Sequence, residues 1–142
     1  MAISTAFCSS AKQELLVGTH NFTLSTGDAF KIALYVSAAT LGASTTAYST
    51  TNEASGTGYT AGGAALTNVT PTLIGTTGLT DFADVTWATS TITANGCLIY
   101  NSTDANKAIS THAFGVDKSS SGGNFTIQFP TADATNAILR LA

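Results

Sequence analysis

The side chains with the means to do chemistry are few and scattered. Two histidines, His20 and His112, two cysteines, Cys8 and Cys97, and eight carboxylates among 142 residues are the whole inventory of acids, bases and nucleophiles beyond the hydroxyls. Both histidines fall in segments read as strands, where a hydrogen-bonded structural histidine is the simpler reading. Neither a G-x-S-x-G, an H-E-x-x-H nor a P-loop spacing occurs. Asp81 and Asp84 flank Phe82 and, joined by Asp28 or Glu53, offer oxygen ligands of the kind Ca²⁺ takes. The simpler reading is that they are acids of a turn and a strand edge. The glycine-rich run GTGYTAGG, residues 56–63, has no lysine and does not lead from a strand into a helix, so it reads as backbone geometry around Tyr59 and not as a phosphate cradle. Cys8 and Cys97 lie far apart and form no metal or redox spacing. With no secretion signal at the start of the sequence, free buried thiols are expected in preference to a long-range disulfide. Asn-x-Ser/Thr triplets begin at Asn21, Asn68, Asn101 and Asn124, as abundant Ser and Thr would produce by chance. The expectation is therefore a chain that is not an enzyme and holds no cofactor or metal.

The elements that must carry these residues follow from periodicity. Residues 28–36, DAFKIALYV, alternate Phe30, Ile32, Leu34 and Val36 with Ala29, Lys31, Ala33 and Tyr35, the period of a strand with one buried face, and are expected to form the central core strand. Each large apolar side chain contributes roughly 1.5–3 kcal/mol when fully buried. Ahead of it, Ser10–Val17 reads as a short helix capped by Ser10, with Gln13 in capping-box spacing and Gly18 at its end, and His20–Leu24 as a short strand. Residues 40–63, rich in Gly and Thr, predict an extended hairpin or long ordered loop anchored by Tyr48 and Tyr59. Ala65–Thr70 and Pro71–Gly75 predict paired or bent strands with Pro71 at an edge or bulge, followed by a Gly75–Gly78 turn.

Asp81–Ala88 follows as a strand with Trp87 plugging the core. Asn95–Gly96 predicts a type I′ hairpin between Ser90–Ala94 and Cys97–Asn101. Ala108–Asp117 and Asn124–Phe129 predict two strands joined by KSSSGG, and Ala137–Leu141 a last one with Arg140 outward. The fold class is thus mainly β: a β-sandwich or Greek-key barrel of about 8–10 short strands with one short N-terminal helix, in a single domain spanning 1–142 whose first 18 residues are an arm and that helix.

Composition bounds the partners. Charged residues make up 9% of the chain, against roughly 25% in an average globular protein. A surface of Thr, Ser, Ala and Gly desolvates at little cost, which suits a subunit packed against neighbours, although a robust extracellular β-domain would read similarly. Net charge −3 and five dispersed cations provide no basic stripe for nucleic acid, and no apolar run reaches the roughly 18 residues needed to span a bilayer.

Four stretches in order, FKIALY at 30–35, TAYSTTNEASGTGYTAGG at 46–63, the region from Trp87 to CLIYN at 97–101, and AFGVDKSSSGGNFTIQFP at 113–130, resemble small virion structural proteins of tailed bacteriophages. Within that group the chain is most similar to head-decoration, or cement, proteins. The resemblance implies a β-rich dimer or trimer, made in the host cytoplasm, that sits on the capsid surface and binds the major capsid protein. Under it, Ala2–Phe7 and Thr40–Gly63 are the expected contact surfaces, with Phe7, Tyr48 and Tyr59 as interface residues, since binding energy concentrates in buried aromatics. The alternatives are a tail, neck or fibre-associated protein of the same virion, or a carbohydrate-binding β-sandwich using Tyr35, Tyr48, Tyr59, Tyr100 and Trp87 as its platform.

Overall fold

The computed structural model describes residues 2–142. Ten strands and one helix follow one another as β1 (Ala6–Phe7), α1 (Ser9–Leu16), β2 (Phe30–Tyr35), β3 (Ala64–Ala65), β4 (Asn68–Ile74), β5 (Thr77–Phe82), β6 (Val85–Ser90), β7 (Thr93–Asn101), β8 (Lys107–Ser119), β9 (Gly123–Ile127) and β10 (Leu139–Leu141). They form a five-stranded sheet in the order β1-β8-β7-β2-β3, a three-stranded sheet β10-β5-β4 and a two-stranded sheet β6-β9, paired antiparallel throughout. The molecule is mainly β with a sandwich-like arrangement, as the strand periodicity implies.

β2 is buried on both faces, not one, and lies beside the middle strand β7 instead of being the middle strand itself. Register explains why both faces are needed. Phe30, Ile32 and Leu34 stand opposite Asn101, Ile99 and Cys97, and Cys97 stands opposite His112, so these side chains share one face. The small sheets and neighbouring segments cover it through a run of phenylalanines: Phe22 stacks on Phe30 at 4.5 Å, Phe30 meets Phe82 at 5.7 Å and Phe82 meets Phe129 at 5.7 Å. The other face, carrying Tyr35 and Tyr100, is covered by the long segment between β2 and β3. There Tyr48 stacks on Tyr100 at 4.7 Å and the Tyr35 hydroxyl donates to the Ser49 carbonyl (2.7 Å). Residues 40–63 are accordingly an ordered loop and not a hairpin. The Ala54 amide donates to the Leu34 carbonyl (2.8 Å) and the Val36 amide to the Asn52 carbonyl (3.1 Å), so the loop completes the β2 edge where two-residue β3 stops.

Five local expectations are corrected. The helix starts at Ser9 with Cys8 as its N-cap, and no side chain caps it. The Cys8 amide is already fixed to the Ile109 carbonyl (2.9 Å), which forces the helix to begin directly after β1 and leaves the Ser10 hydroxyl inside it without a partner. At the other end the Gly18 amide donates to the Leu15 carbonyl and the Thr19 amide to the Glu14 carbonyl, the two hydrogen bonds of a Schellman close. His20–Leu24 is irregular, because its polar groups bond to the Asp28 and Thr70 side chains instead of to a strand. Asp81–Ala88 splits at Ala83–Asp84 into the ends of two sheets. In place of two strands over Ala65–Thr70 and Pro71–Gly75 there is one, β4, beginning at Asn68, while Pro71 does sit at the expected edge and bulge, where the register slips between Val69 and Thr72.

The Asn95–Gly96 hairpin is absent: β7 runs straight through it. Neither residue has the positive φ that a type I′ turn demands. Pairing with β2 on one side and β8 on the other holds the segment extended. Gly96 is required by closeness instead, since a Cβ there would lie 2.7 Å from the His112 carbonyl oxygen and 2.7 Å from the Ile3 side chain. The turn that does reverse the chain is Ser102–Asn106, with Ala105 and Asn106 both left-handed.

Candidate functional site

The residues that composition singled out for chemistry are built into the frame. His20 is buried, with Nε2 3.1 Å from Glu14 Oε1, while the Asn101 amide nitrogen lies 2.9 Å from Nδ1 and 2.8 Å from Asp28 Oδ2. An amide donating to Nδ1 leaves the ring hydrogen on Nε2, directed at Glu14. This acid–imidazole–amide–acid chain ties α1 to the end of β7. No hydroxyl or thiol partner completes it as a nucleophilic system. The second histidine, His112, accepts from or donates to the Ser110 hydroxyl at 2.9 Å, and burial pushes its pKa down to about 4, so it is neutral near pH 7.

Asp81 is buried with one carboxylate oxygen held by the Phe82 amide (2.8 Å) and the other without a partner; burial raises its pKa. Asp84 instead accepts from the Phe129 amide (2.7 Å). Asp28 and Glu53 belong to separate networks. Among the described residues no group of three or more His, Cys, Asp or Glu side chains is placed to hold a metal ion. Cys8 and Cys97 are free and buried, and burial pushes their thiols up to about 11 and about 12, keeping them protonated.

Tyr48 and Tyr59 converge on Glu53. The Tyr48 hydroxyl donates to Oε2 (2.6 Å), and the Tyr59 hydroxyl (2.7 Å) and Gly62 amide (2.7 Å) donate to Oε1. Tyr59 also accepts from the Leu34 amide (2.9 Å), and its ring stacks on Trp87 at 5.9 Å. Burial, reinforced by the Glu53 hydrogen bonds, raises both phenol pKa values, so the hydroxyls remain donors. A carboxylate takes three donors without conflict because it is acceptor only. Both tyrosines thus fasten residues 40–63 onto the core, and neither stands out as a free anchor. The sequence carried no sign of this clasp: a Glu five residues after one Tyr and six before another has no helical or strand period.

Phe7 lies elsewhere, half-buried on β1, on the wall of a groove of about 610 Å³ between α1 and the β10-β5-β4 sheet. Leu73 of β4, Gly78 of β5 and Leu141 of β10 form one cross-strand row. The glycine leaves the middle of that row without a side chain. Leu15, Leu73 and Leu141 form the sides, and no Asp, Glu, Lys or Arg lines the groove. Leu73 is 70% exposed and Leu141 63%, while Leu16, at the helix end, is 89% exposed. These large apolar side chains stand in water around a groove that no Asp, Glu, Lys or Arg lines. Both flanking strands, β4 and β10, are sheet edges whose outer backbone groups take no strand partner. Comparison with protein-family models, curated proteins and solved structures returns no match.

Proposed function

We propose that this chain is a non-enzymatic structural subunit of a tailed-phage virion that binds the outside of the capsid shell and stabilises junctions between major capsid protein subunits. The observation that carries this reading is the charge-free groove between α1 and the β10-β5-β4 sheet, rimmed by exposed leucines and including Phe7. It supplies an apolar slot for a neighbour's side chain and two free strand edges for backbone pairing, a combination suited to a flat and repeated contact. A shell repeats each contact many times, so a modest individual affinity suffices for stable coverage. The low charge of the whole surface supports the same reading. A carbohydrate platform gains no support, because Tyr35, Tyr100 and Trp87 are buried and Tyr48 and Tyr59 have their hydroxyls tied to Glu53.

Copy number per particle tests the proposal. Quantitative mass spectrometry of purified virions is expected to give a ratio to the major capsid protein near unity. A few copies, or about a dozen, would transfer the chain to the tail, neck or fibre of the same virion. Absence from purified particles would overturn the structural reading.

A further inference from the structure

β8 and β9 are consecutive strands that do not pair with each other; β8 pairs with β7 and β9 with β6. A large bulge in β8 marks the place. Asn95 alone on β7 stands opposite the four residues Phe114–Asp117, since Ala94 pairs with Lys118 and Gly96 with Ala113. Bulges of this kind re-aim side chains and end regular pairing. Between the bulged half of β8 and the unpaired edge of β9 opens a pocket of about 480 Å³, within the roughly 300–1,000 Å³ typical of small-ligand sites. Phe114, Phe125, Ile127 and Phe129 make the larger, apolar part of its wall, and neutral polar side chains such as Asn124 and Gln128 line the rest.

The polar groups on the lining are unequal in charge. No acidic residue reaches the pocket, and Lys118 is the one residue on it that is charged near neutral pH. Among the described residues no carboxylate pairs with Lys118. Its neighbour Asp117 is held by the Asn95 side-chain amide at 2.9 Å and is not on the lining. His112 is half-buried, with Nε2 engaged by Ser110. An open pocket with a mostly apolar wall and one unpaired cation selects both the body and the sign of its occupant.

We propose that this pocket binds a small amphipathic anion, a carboxylate with a hydrocarbon body, with the body against the phenylalanines and the carboxylate at Lys118. This assignment is independent of any role in a virion. The molecule carries its own reporter, because the single Trp, Trp87, meets Phe125 of the pocket wall edge-on at 6.1 Å.

The test uses decanoate and its cationic counterpart decylammonium, titrated into the full chain by calorimetry with Trp87 emission followed in parallel. One saturable site for decanoate is expected, at least tenfold tighter than any for decylammonium, with a matching change in Trp87 emission. Lys118 is exposed, so Lys118→Met is expected to keep the fold, checked by urea unfolding, and to weaken decanoate at least tenfold. Gln128→Phe, on the exposed rim, is expected to obstruct the mouth and abolish binding. Absence of saturable decanoate binding, equal binding of the two ions, or affinity unchanged in both variants would each overturn the proposal.

Discussion

His112, hydrogen-bonded to Ser110, gives the fold a measurable pH signature. Its pKa falls from 6.5 to about 4 on folding because burial disfavours the imidazolium. Between those values the unfolded chain binds the extra proton and the folded chain does not, so stability rises with pH across that window. The contribution is fully present above about pH 6.5 and is lost progressively as pH falls toward 4. Its size is on the order of 3 kcal/mol at the acid end, given 1.36 kcal/mol per pKa unit. His112→Gln can still hydrogen-bond Ser110 but cannot titrate. Urea unfolding at intervals from pH 4 to 7.5 is therefore expected to show a steeper loss of stability for the wild type than for the variant. Parallel curves would mean that the imidazole is hydrated in the folded chain. Burial of both thiols and a hydrogen-bonded, structural place for both histidines were legible from the sequence. The partners of Glu53 were not, because they meet only after a loop of irregular backbone has closed on β2.

Period 2 made strands legible even where burial does not alternate: β9 keeps an alternating pattern, with Phe125 and Ile127 inward, whereas β2 was placed correctly although it buries both faces. Local turn chemistry misled at Asn95–Gly96, where two flanking strands supply more hydrogen bonds to an extended backbone than a turn would. Sequence likewise placed the cap two residues too late, at Ser10 instead of Cys8, since the tertiary bond from Cys8 to Ile109 sets where α1 begins. The loop over residues 40–63 was visible as irregular, but its attachment was not. That attachment depends on backbone proximity at Gly63, with φ +79° and a Cβ position only 1.8 Å from the Ile32 carbonyl oxygen. Gly122 is a natural control, with φ +65° and open space around it. Gly122→Ala bears only the left-handed penalty of about 1–2 kcal/mol. Gly63→Ala adds a collision with the β2 backbone, which must separate the strand from the loop. Chemical denaturation is expected to show a loss for Gly63→Ala at least twice that for Gly122→Ala, together with a changed Trp87 emission as Tyr59 leaves the indole. Equal losses would indicate that the loop can shift without disturbing the clasp.

At the scale of the whole molecule, a surface short of charge was evident from composition, whereas the groove was not, because α1, β4, β5 and β10 come from separated parts of the chain. Its exposed leucines are unfavourable for the isolated chain and gain free energy only when covered. Burying apolar area is worth roughly 25 cal/mol per Å², so leucines at exposed edge positions fit a covered state better than a solitary one. Leu73→Lys and Leu141→Lys place charges on edge strands, where lysine is well tolerated and discourages pairing. Because both side chains are mostly in water, the double variant is expected to unfold within about 0.5 kcal/mol of the wild type for each change. In contrast, it is expected to lose at least tenfold in binding to capsid shells lacking this chain, measured by co-sedimentation over a concentration series. The paired readouts separate the possible roles of the row. Lost stability with retained binding would make Leu73 and Leu141 part of the core and move the search for the contact surface to the far face, where residues 40–63 lie. Retained stability with retained binding would remove the groove from the interface altogether, since two ammonium groups cannot be buried in an apolar contact without a severe loss of affinity.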